Sequence, residues 1–504
     1  MKLPYWLEPL PDAAEQRALD EWAIRELGIP GLELMERAGT GLAEMVGERA
    51  ATGPIAVVCG KGNNGGDGLV AARVLREQGR EVDVLLLAAP GEYQGNARVN
   101  LERVPGPAPR SFDAGALAGV AGVVDAILGT GFAGEPREPA AGAIEAINTA
   151  GEEAVVVACD VPSGVDASTG VVVGPAVRAH ATATFHAAKP GLWIAPGKQH
   201  AGEVRVIDIG IPSGGPADPR IGLIRARVTD DIPRRGPDST KFAAGSVLVC
   251  GGSPGLTGAP CMASESALRA GAGYVTAAGP ASLHALFEGR LLEVMTVALR
   301  DNEGALHPTA VGEAVARAAR VDAVILGPGL GRDPGAVRFA RGLASALELP
   351  LLLDADGLGA HAGELGALAD RDAPTVLTPH AGELGRLLAI ESQAVQARRL
   401  ECARRAAAEA RAVVVLKGDD TLIVQPDGRV AISPGGAPAL ATAGTGDVLS
   451  GVIGAFLAKR MNPFHAACAG VFVHLSAGRH AGATIGPEGV IASDVIDALP
   501  RSIR

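Results

Sequence analysis

Eleven short aliphatic, β-branched runs with helical stretches between them constrain this chain more than any other feature. Five fall in the first 210 residues: IAVVC (55–59), EVDVLLL (81–87), GVVDAIL (122–128), AVVVACD (154–160) and EVRVIDI (203–209). Helices are expected between them, for example over 68–78 and 140–149. Six more follow: SVLVCG (246–251), AVILG (323–327), LPLLLDAD (349–356), TVLTP (375–379), AVVVLKG (412–418) and TLIVQ (421–425), with helices over 259–271, 394–410 and after 446. Runs that are apolar throughout, rather than at every second residue, are what a parallel sheet covered on both faces needs. The stretch 211–238 breaks the rhythm with five prolines and clustered charge. The expected fold is therefore α/β in two tandem domains, over residues 1–215 and 225–504.

Composition narrows the function classes. Apolar residues are 47% and charged residues 20%, enough for packed cores, while aromatics are 3% and the net charge is −11. Few stacking rings and a negative balance argue against a nucleic-acid partner. The six cysteines lie far apart with no CxxC pair, which reads as buried thiols. The N-terminal residues turn acidic at once, without a secretory apolar core, and Asp125 interrupts the apolar stretch 114–134. These features predict a soluble protein of a reducing compartment, the cytoplasm, with no membrane partner.

Residues 59–68, CGKGNNGGDG, follow a strand and open a helix, where glycines let backbone N–H groups approach a phosphate. Gly60, Gly62 and Gly65 satisfy GxGxxG, and Asp83 lies near the place of a ribose-binding acid. A tight turn or a Rossmann turn would explain that much. Neither needs two carboxamides and a carboxylate among the glycines. Asp125 lies in a third strand and Asp160 ends a fourth, with Ser163 three residues on. C-terminal strand ends of a parallel sheet share one crevice, so Asn64, Asp125 and Ser163 could offer oxygens to a hard cation, and Asp160 could move a proton. Capping at a βα turn is open to each, and for Ser163 alone it is the plainer role.

GLELMERAG (31–39), GKGNNGGDGLVAAR (60–73), VVDAILGTG (123–131) and CDVPSGVDASTG (159–170) together resemble the YjeF N-terminal domain, over about residues 10–210. That family has a Rossmann-like parallel sheet and epimerises NAD(P)H hydrate, the cofactor with water added across its nicotinamide ring. The resemblance implies that Asn63, Asn64, Gly65, Gly66 and Asp67 contact the hydrated dinucleotide, as do Gly129, Thr130, Gly131, Phe132, Ala133, Gly134 and Glu135. It further implies that Asn64, Asp125 and Ser163 hold potassium (K+) and that Asp160 is catalytic and touches the ligand. Lys189, in HAAKPGLW, matches a family position with an electrostatic role. Interconverting R and S forms needs groups that give and take a proton. Asp160 is one, and the sequence does not display the other.

The C-terminal half has no GxxxxGK[ST]. It has Ala443-Gly-Thr-Gly-Asp447 before an apolar helical stretch. The amides of Gly444, Thr445 and Gly446 would form an anion hole, and Asp447 could take a proton from a hydroxyl attacking a phosphoryl group. A glycine turn with a helix-start Asp is the plainer reading of those residues alone. GAPCMASESALRAGAGYVT (258–276), ILGPGLG (325–331), LLDADGL (352–358), TPHAGELGRL (378–387) and LKGDDTLI (416–423) occur in order with it. The set resembles the ribokinase-like NAD(P)H-hydrate dehydratase domain, an α/β/α fold, over about residues 225–500. The resemblance implies that ADP, with Mg2+, phosphorylates the added hydroxyl, and that loss of phosphate restores the dihydronicotinamide, leaving AMP. It places Ala259, Gly329, His380 and Asp447 on the substrate, and Lys417, Gly418, Asp419, Asp420, Thr421 and Gly446 on the nucleotide. Where the family opens this domain with His-Lys-Gly, this chain has Thr240-Lys241-Phe242.

The expected function is bifunctional repair by a homo-oligomer. A dehydrogenase fused to a small-molecule kinase would leave NNGGD, CDVPSG and PHAGE unexplained. A non-catalytic nucleotide sensor would be favoured by loss of Asp160 or Asp447, and both are present.

Overall fold

Alternate residues of the strand Ile55–Cys59 enter opposite apolar clusters: Ile55, Val57 and Cys59 one, Ala56 and Val58 the other. The run is continuous because both faces are covered. The computed structural model describes residues 2–503. The chain divides at Gly222/Leu223 into two units, and Pro4–Glu8 belongs with the second.

The first unit has seven parallel strands, from edge to edge Arg110–Ser111, Val82–Leu86, Ile55–Cys59, Gly122–Ala126, Val155–Cys159, Ala181–Phe185 and Glu203–Ile207. Helices Gly31–Arg49 and Asn63–Glu77 cover one face with Leu42, Met45, Leu69 and Leu75. Ala140–Ala150 covers the other with Ile144 and Ile147, each contributing about 1.5–3 kcal/mol by burial. The strand order reverses between Ile55–Cys59 and Gly122–Ala126, which opens a crevice at their C-terminal ends.

Three features of this unit differ from the sequence expectation, the first being the edge strand Arg110–Ser111, which no apolar run announces. The helix expected from residue 68 begins at Asn63, so NNGGD forms its first turn. Glycine opposes helix locally, but packing requires it: a Cβ on Gly65 would lie 1.7 Å from the Gly60 carbonyl oxygen, and one on Gly66 would meet Met35. The strand Ala181–Phe185 also escapes a hydrophobic reading, because it buries Thr182 and Thr184 completely. Their hydroxyls are satisfied, Thr182 Oγ1 donating to the Ala201 carbonyl at 2.6 Å and Thr184 Oγ1 to Asp160 at 3.1 Å.

The second unit holds an eleven-stranded sheet in the order Leu7–Pro9, Ile221–Ile224, Val430–Ile432, Leu422–Val424, Val413–Leu416, Thr375–Leu377, Leu351–Leu353, Ala323–Leu326, Ser246–Cys250, Tyr274–Pro280, Met295–Leu299. It is parallel from Val413–Leu416 to Met295–Leu299, while Leu422–Val424 and Val430–Ile432 turn back antiparallel. Strand Ile221–Ile224 lies inside the proline-rich stretch read as a connector. The single helix expected over 394–410 is two, Ser392–Ala397 and Arg399–Ala410, broken at Arg398 (φ −136°, ψ 53°). Helix Thr445–Ala458 is buried on nearly every side, which its apolar sequence requires. No helix among the described residues is long and apolar enough to cross a membrane. All six cysteines are free and buried.

Candidate active sites

In the first unit, a cavity of about 920 Å³ opens at the strand-order reversal. Asp160 stands at its floor, immediately after strand Val155–Cys159. Its φ of 64° is a left-handed backbone costing about 1–3 kcal/mol, and the bend aims the carboxylate into the crevice. Oδ1 accepts from Lys189 Nζ at 2.6 Å and Thr184 Oγ1 at 3.1 Å, and Oδ2 from the Thr130 hydroxyl. Lys189 is 1% exposed, and its ammonium also donates to Thr184 Oγ1 and the Phe185 carbonyl, both at 3.0 Å. Burial alone would raise the Asp160 carboxyl, but Lys189 and the hydroxyl donors hold it below the usual carboxylate range. Asp160 is therefore an ionised base at neutral pH, with a fixed direction.

The cavity collects most of the residues expected of it. Asn63, Asn64, Asp67, Gly129, Thr130, Gly131, Phe132 and Asp160 line it. Gly65 and Gly66 do not, since they face the packed side of the helix; nor do Ala133, Gly134 and Glu135, the last lying against Gly174. Gln16 and Asp20 line the cavity from helix Ala13–Arg25 and were missed by the sequence reading. That helix announces itself through the Asp12–Glu15 capping box, but nothing local shows that its polar face turns to a cavity.

Asp125 and Ser163 are completely buried and bonded to each other: Ser163 Oγ donates to Asp125 Oδ1 at 2.6 Å and Ser163 N to Oδ2 at 2.8 Å. Burial pushes Asp125 up to about 6 despite those bonds. The Leu128 carbonyl lies 3.2 Å from Ser163 Oγ, and the Asn64 amide, close against Gly129, has its nitrogen buried without a partner. Turning that amide by 180° would put an oxygen at the orphaned position. A carboxylate, a hydroxyl, a carbonyl and an amide oxygen suit a hard cation.

The second site forms where five adjacent parallel strands end. Strands Leu351–Leu353 and Val413–Leu416 deliver Asp354 and Lys417, whose Nζ and Oδ1 are 2.9 Å apart. Asp354 Oδ2 accepts from Ser450 Oγ at 2.7 Å, tying helix Thr445–Ala458 to the strand end. Glu383 Oε2 is 3.7 Å from Lys417 Nζ. Gly444 caps this helix at φ 90°, where a Cβ would strike Met262, so the turn that presents the Thr445 and Gly446 amides needs glycine. Burial first, then Asp354 and Glu383, push Asp447 up to about 7. A carboxyl titrating near neutrality suits a general base. His474, lowered by burial to about 4 and so neutral, lies beneath the same turn with a bond to the Thr445 backbone.

His380 Nδ1 accepts the Gly382 and Glu383 amides at 3.0 and 3.3 Å, capping helix Ala381–Leu388. That leaves its Nε2, 3.6 Å from Glu383 Oε2, as the nitrogen that carries the hydrogen. Ala259 lies in the first turn of helix Gly258–Arg269, and Gly329 lies against the Leu256 carbonyl just before that helix. Residues 417–421 turn between antiparallel strands: Thr421 Oγ1 donates to the Gly418 carbonyl at 2.6 Å and Asp419 Oδ1 accepts from Gly436 N at 2.6 Å. The Asp420 carboxylate is buried against Arg399 at 2.8 Å. Lys241 lies over the rings of Phe242 and Tyr274, 5.2 and 5.4 Å from their centroids. Asp354, Glu383 and His474 were not singled out from sequence, although LLDADGL and TPHAGE contain the first two.

Each unit thus carries an acid–base group at the C-terminal ends of parallel strands, beside a glycine-opened helix start, which is the layout of a two-site α/β enzyme. The NAD(P)H-hydrate dehydratase family model matches residues 247–501, and the YjeF-related protein N-terminus model residues 31–191. The chain belongs to the bifunctional NAD(P)H-hydrate repair family. Relatives called bifunctional NAD(P)H-hydrate repair enzyme, from Salinibacter ruber and Moorella thermoacetica, are 42% and 41% identical over 98% of this chain and 96% of their own. A solved ADP/ATP-dependent NAD(P)H-hydrate dehydratase from Bacillus subtilis, co-crystallised with ATP and Mg2+, is 29% identical over 55% of this chain and 94% of its own, with a TM-score of 0.46.

Proposed function

We propose that the chain repairs hydrated nicotinamide nucleotides in two steps: residues 1–215 epimerise R- and S-NAD(P)HX, and residues 225–504 dehydrate the S form with ADP. Full-length similarity to relatives of that name supports the reading. The observation that carries it is the contrast between the two carboxyls: Asp160 is held ionised by Lys189, while Asp447 titrates near 7 beside an amide-lined turn.

In the second site Asp447 takes the proton of the added hydroxyl as its oxygen attacks the terminal phosphoryl group of ADP, and AMP leaves. The Gly444, Thr445 and Gly446 amides and Lys417 face the charge that develops. Phosphate then departs from the hydrated carbon and a proton from its neighbour, which restores the ring double bond. Hydroxide is a poor leaving group and phosphate a good one, so the nucleotide is needed. Ala259, Gly329 and His380 hold the substrate; Lys417, Gly418, Asp419, Thr421, Gly446 and the backbone of Asp420 hold the nucleotide. Mg2+, bound with ADP, neutralises phosphate charge. Asn64, Asp125 and Ser163 would hold K+, whose charge would offset that of the buried Asp125 carboxylate. A homo-oligomer in the cytoplasm is part of the same reading.

The test is recovery of reduced-nicotinamide absorbance from an R/S mixture of NADH hydrate with ADP, Mg2+ and K+, spontaneous epimerisation being subtracted. Full recovery supports both activities. Recovery that stops at the S fraction removes the epimerase, and none with either ADP or ATP removes the dehydratase.

A further inference from the structure

Asp67 is a buried carboxyl that the reading above places at the substrate without a part in proton transfer. It lies in the first turn of helix Asn63–Glu77 and lines the cavity that holds Asp160. Among the described residues no group donates a hydrogen bond to it and no cation pairs with it, so it holds nothing in place. A structural carboxylate would be paired or bonded, because burying one bare is costly. Helix Ala13–Arg25 brings a second carboxyl, Asp20, to the same cavity. Gln16 Nε2 donates to Asp20 Oδ1 at 2.9 Å, and Gln16 Oε1, on a side chain 5% exposed, is buried without a partner.

Resting on the epimerase reading, we propose that Asp67 is the proton partner of Asp160, and that Asp20, held by Gln16, is the positioning residue that keeps Asp67 protonated. Burial first, then the charges of Asp160 and Asp20, raise the Asp67 carboxyl well above the usual range, against a smaller opposing effect of Lys189. Asp20 is itself raised by burial. Arg17 lines the cavity from the same helix, and Lys61, Glu92, Arg137 and Glu138 line it from other elements, Lys61 and Glu92 being paired at 3.1 Å. One cavity therefore holds one carboxyl kept below the usual range and one raised well above it, the kind of pair that acid–base chemistry at one carbon requires.

The hydrated carbon bears a hydroxyl and is bonded to the ring nitrogen. Asp160 takes the hydroxyl proton, the oxygen electrons form a carbonyl, and the carbon–nitrogen bond breaks with its pair going to nitrogen. Asp67 gives nitrogen its proton. Rotation about the adjacent carbon–carbon bond presents the other carbonyl face. Nitrogen then adds to that face, returning its proton to Asp67, while the alkoxide recovers one from Asp160. Both carboxyls end as they began, and no other reactant is consumed.

Asp67→Asn and Asp20→Asn in the full-length chain test this, with R-to-S conversion of NADH hydrate followed by chromatographic separation of the epimers from pH 5 to 9. Asp67→Asn is expected to lower the epimerisation kcat by about 10²-fold or more. Dehydration of pure S form by the second unit serves as the control for intact protein. Asp20→Asn is expected to shift the basic limb of the pH profile to lower pH, because one like charge beside Asp67 is gone; a merely structural role would leave the limb in place. Epimerisation within threefold of wild type in Asp67→Asn, or an unmoved limb in Asp20→Asn, would overturn the proposal while leaving the epimerase reading intact. A wild-type chain that does not epimerise overturns both.

Discussion

Replacing Lys189 by Met keeps most of the side-chain volume and removes only the ammonium. That group makes three bonds at 2.6–3.0 Å from a position 1% exposed, so water cannot replace it. The variant leaves the Asp160 carboxylate buried without a counter-charge, while the Phe185 carbonyl keeps its 2.7 Å bond from Ala187 N. Breaking a buried ion pair from one side costs about 3–5 kcal/mol. For a unit of this size about 2–4 °C of melting temperature goes with each kcal/mol, so the first-unit transition should fall by roughly 6–20 °C. Calorimetry of the full chain would give the shift, and hydrogen exchange over residues 155–207 would localise it. Adding Asp160→Asn should restore much of the loss, since removing both charges costs less than stranding one. The sign with pH follows from Asp160 being held below its ordinary range: the pair stabilises above about pH 4, the unfolded value, and that stability is lost as pH falls through the lower folded value. The wild-type advantage should therefore persist from neutrality down to about pH 4 and fade below it. A loss under about 1 kcal/mol, or a double variant no more stable than the single one, would refute a buried, charge-dependent pair.

Other outcomes follow from the same geometry. Dehydratase kcat/KM should rise with pH through about 7 as Asp447 ionises, and Glu383→Gln should move that limb to lower pH by removing a neighbouring negative charge. Asp447→Asn should abolish ADP-dependent NADH recovery from the S form. Gly65→Ala should cost the first unit about 3 kcal/mol, because the added Cβ would lie 1.7 Å from the Gly60 carbonyl; loss of epimerisation with dehydration retained is the expected readout. Arg399→Ala strands the buried Asp420 carboxylate and should destabilise the second unit by about 3–5 kcal/mol, raising KM for ADP more than it lowers kcat. Equal effects on both constants would place the 417–421 turn away from the nucleotide.

The sequence by itself determined the central parallel strands of both sheets and the identity of much of the chemistry, but not edge and polar strands such as Arg110–Ser111 and Ala181–Phe185. Runs such as IAVVC and VVVL are apolar at both parities, and only a sheet covered on both faces makes use of that. The AGTGD block also displayed Asp447, and the end of the run AVVVACD displayed Asp160, because a carboxyl at a helix start or a strand end is a local pattern. Tertiary structure decided the rest, wherever a residue's role depends on what lies across space. Thr182 and Thr184 do not look like core until Ala201 and Asp160 accept their hydroxyls. The first turn at Asn63 reads as loop from its glycines, yet close packing on Gly60 makes it helix. Asp420 sits in the LKGDDT stretch expected at a nucleotide, but Arg399, 21 residues earlier in the chain, claims its carboxylate. The acidities of Asp67 and Asp160 differ because one is buried without a donor and the other faces Lys189, 29 residues along the chain. Charge, burial and partnership are properties of the folded neighbourhood, so the same residue letter can stand for an acid in one place and a base in another.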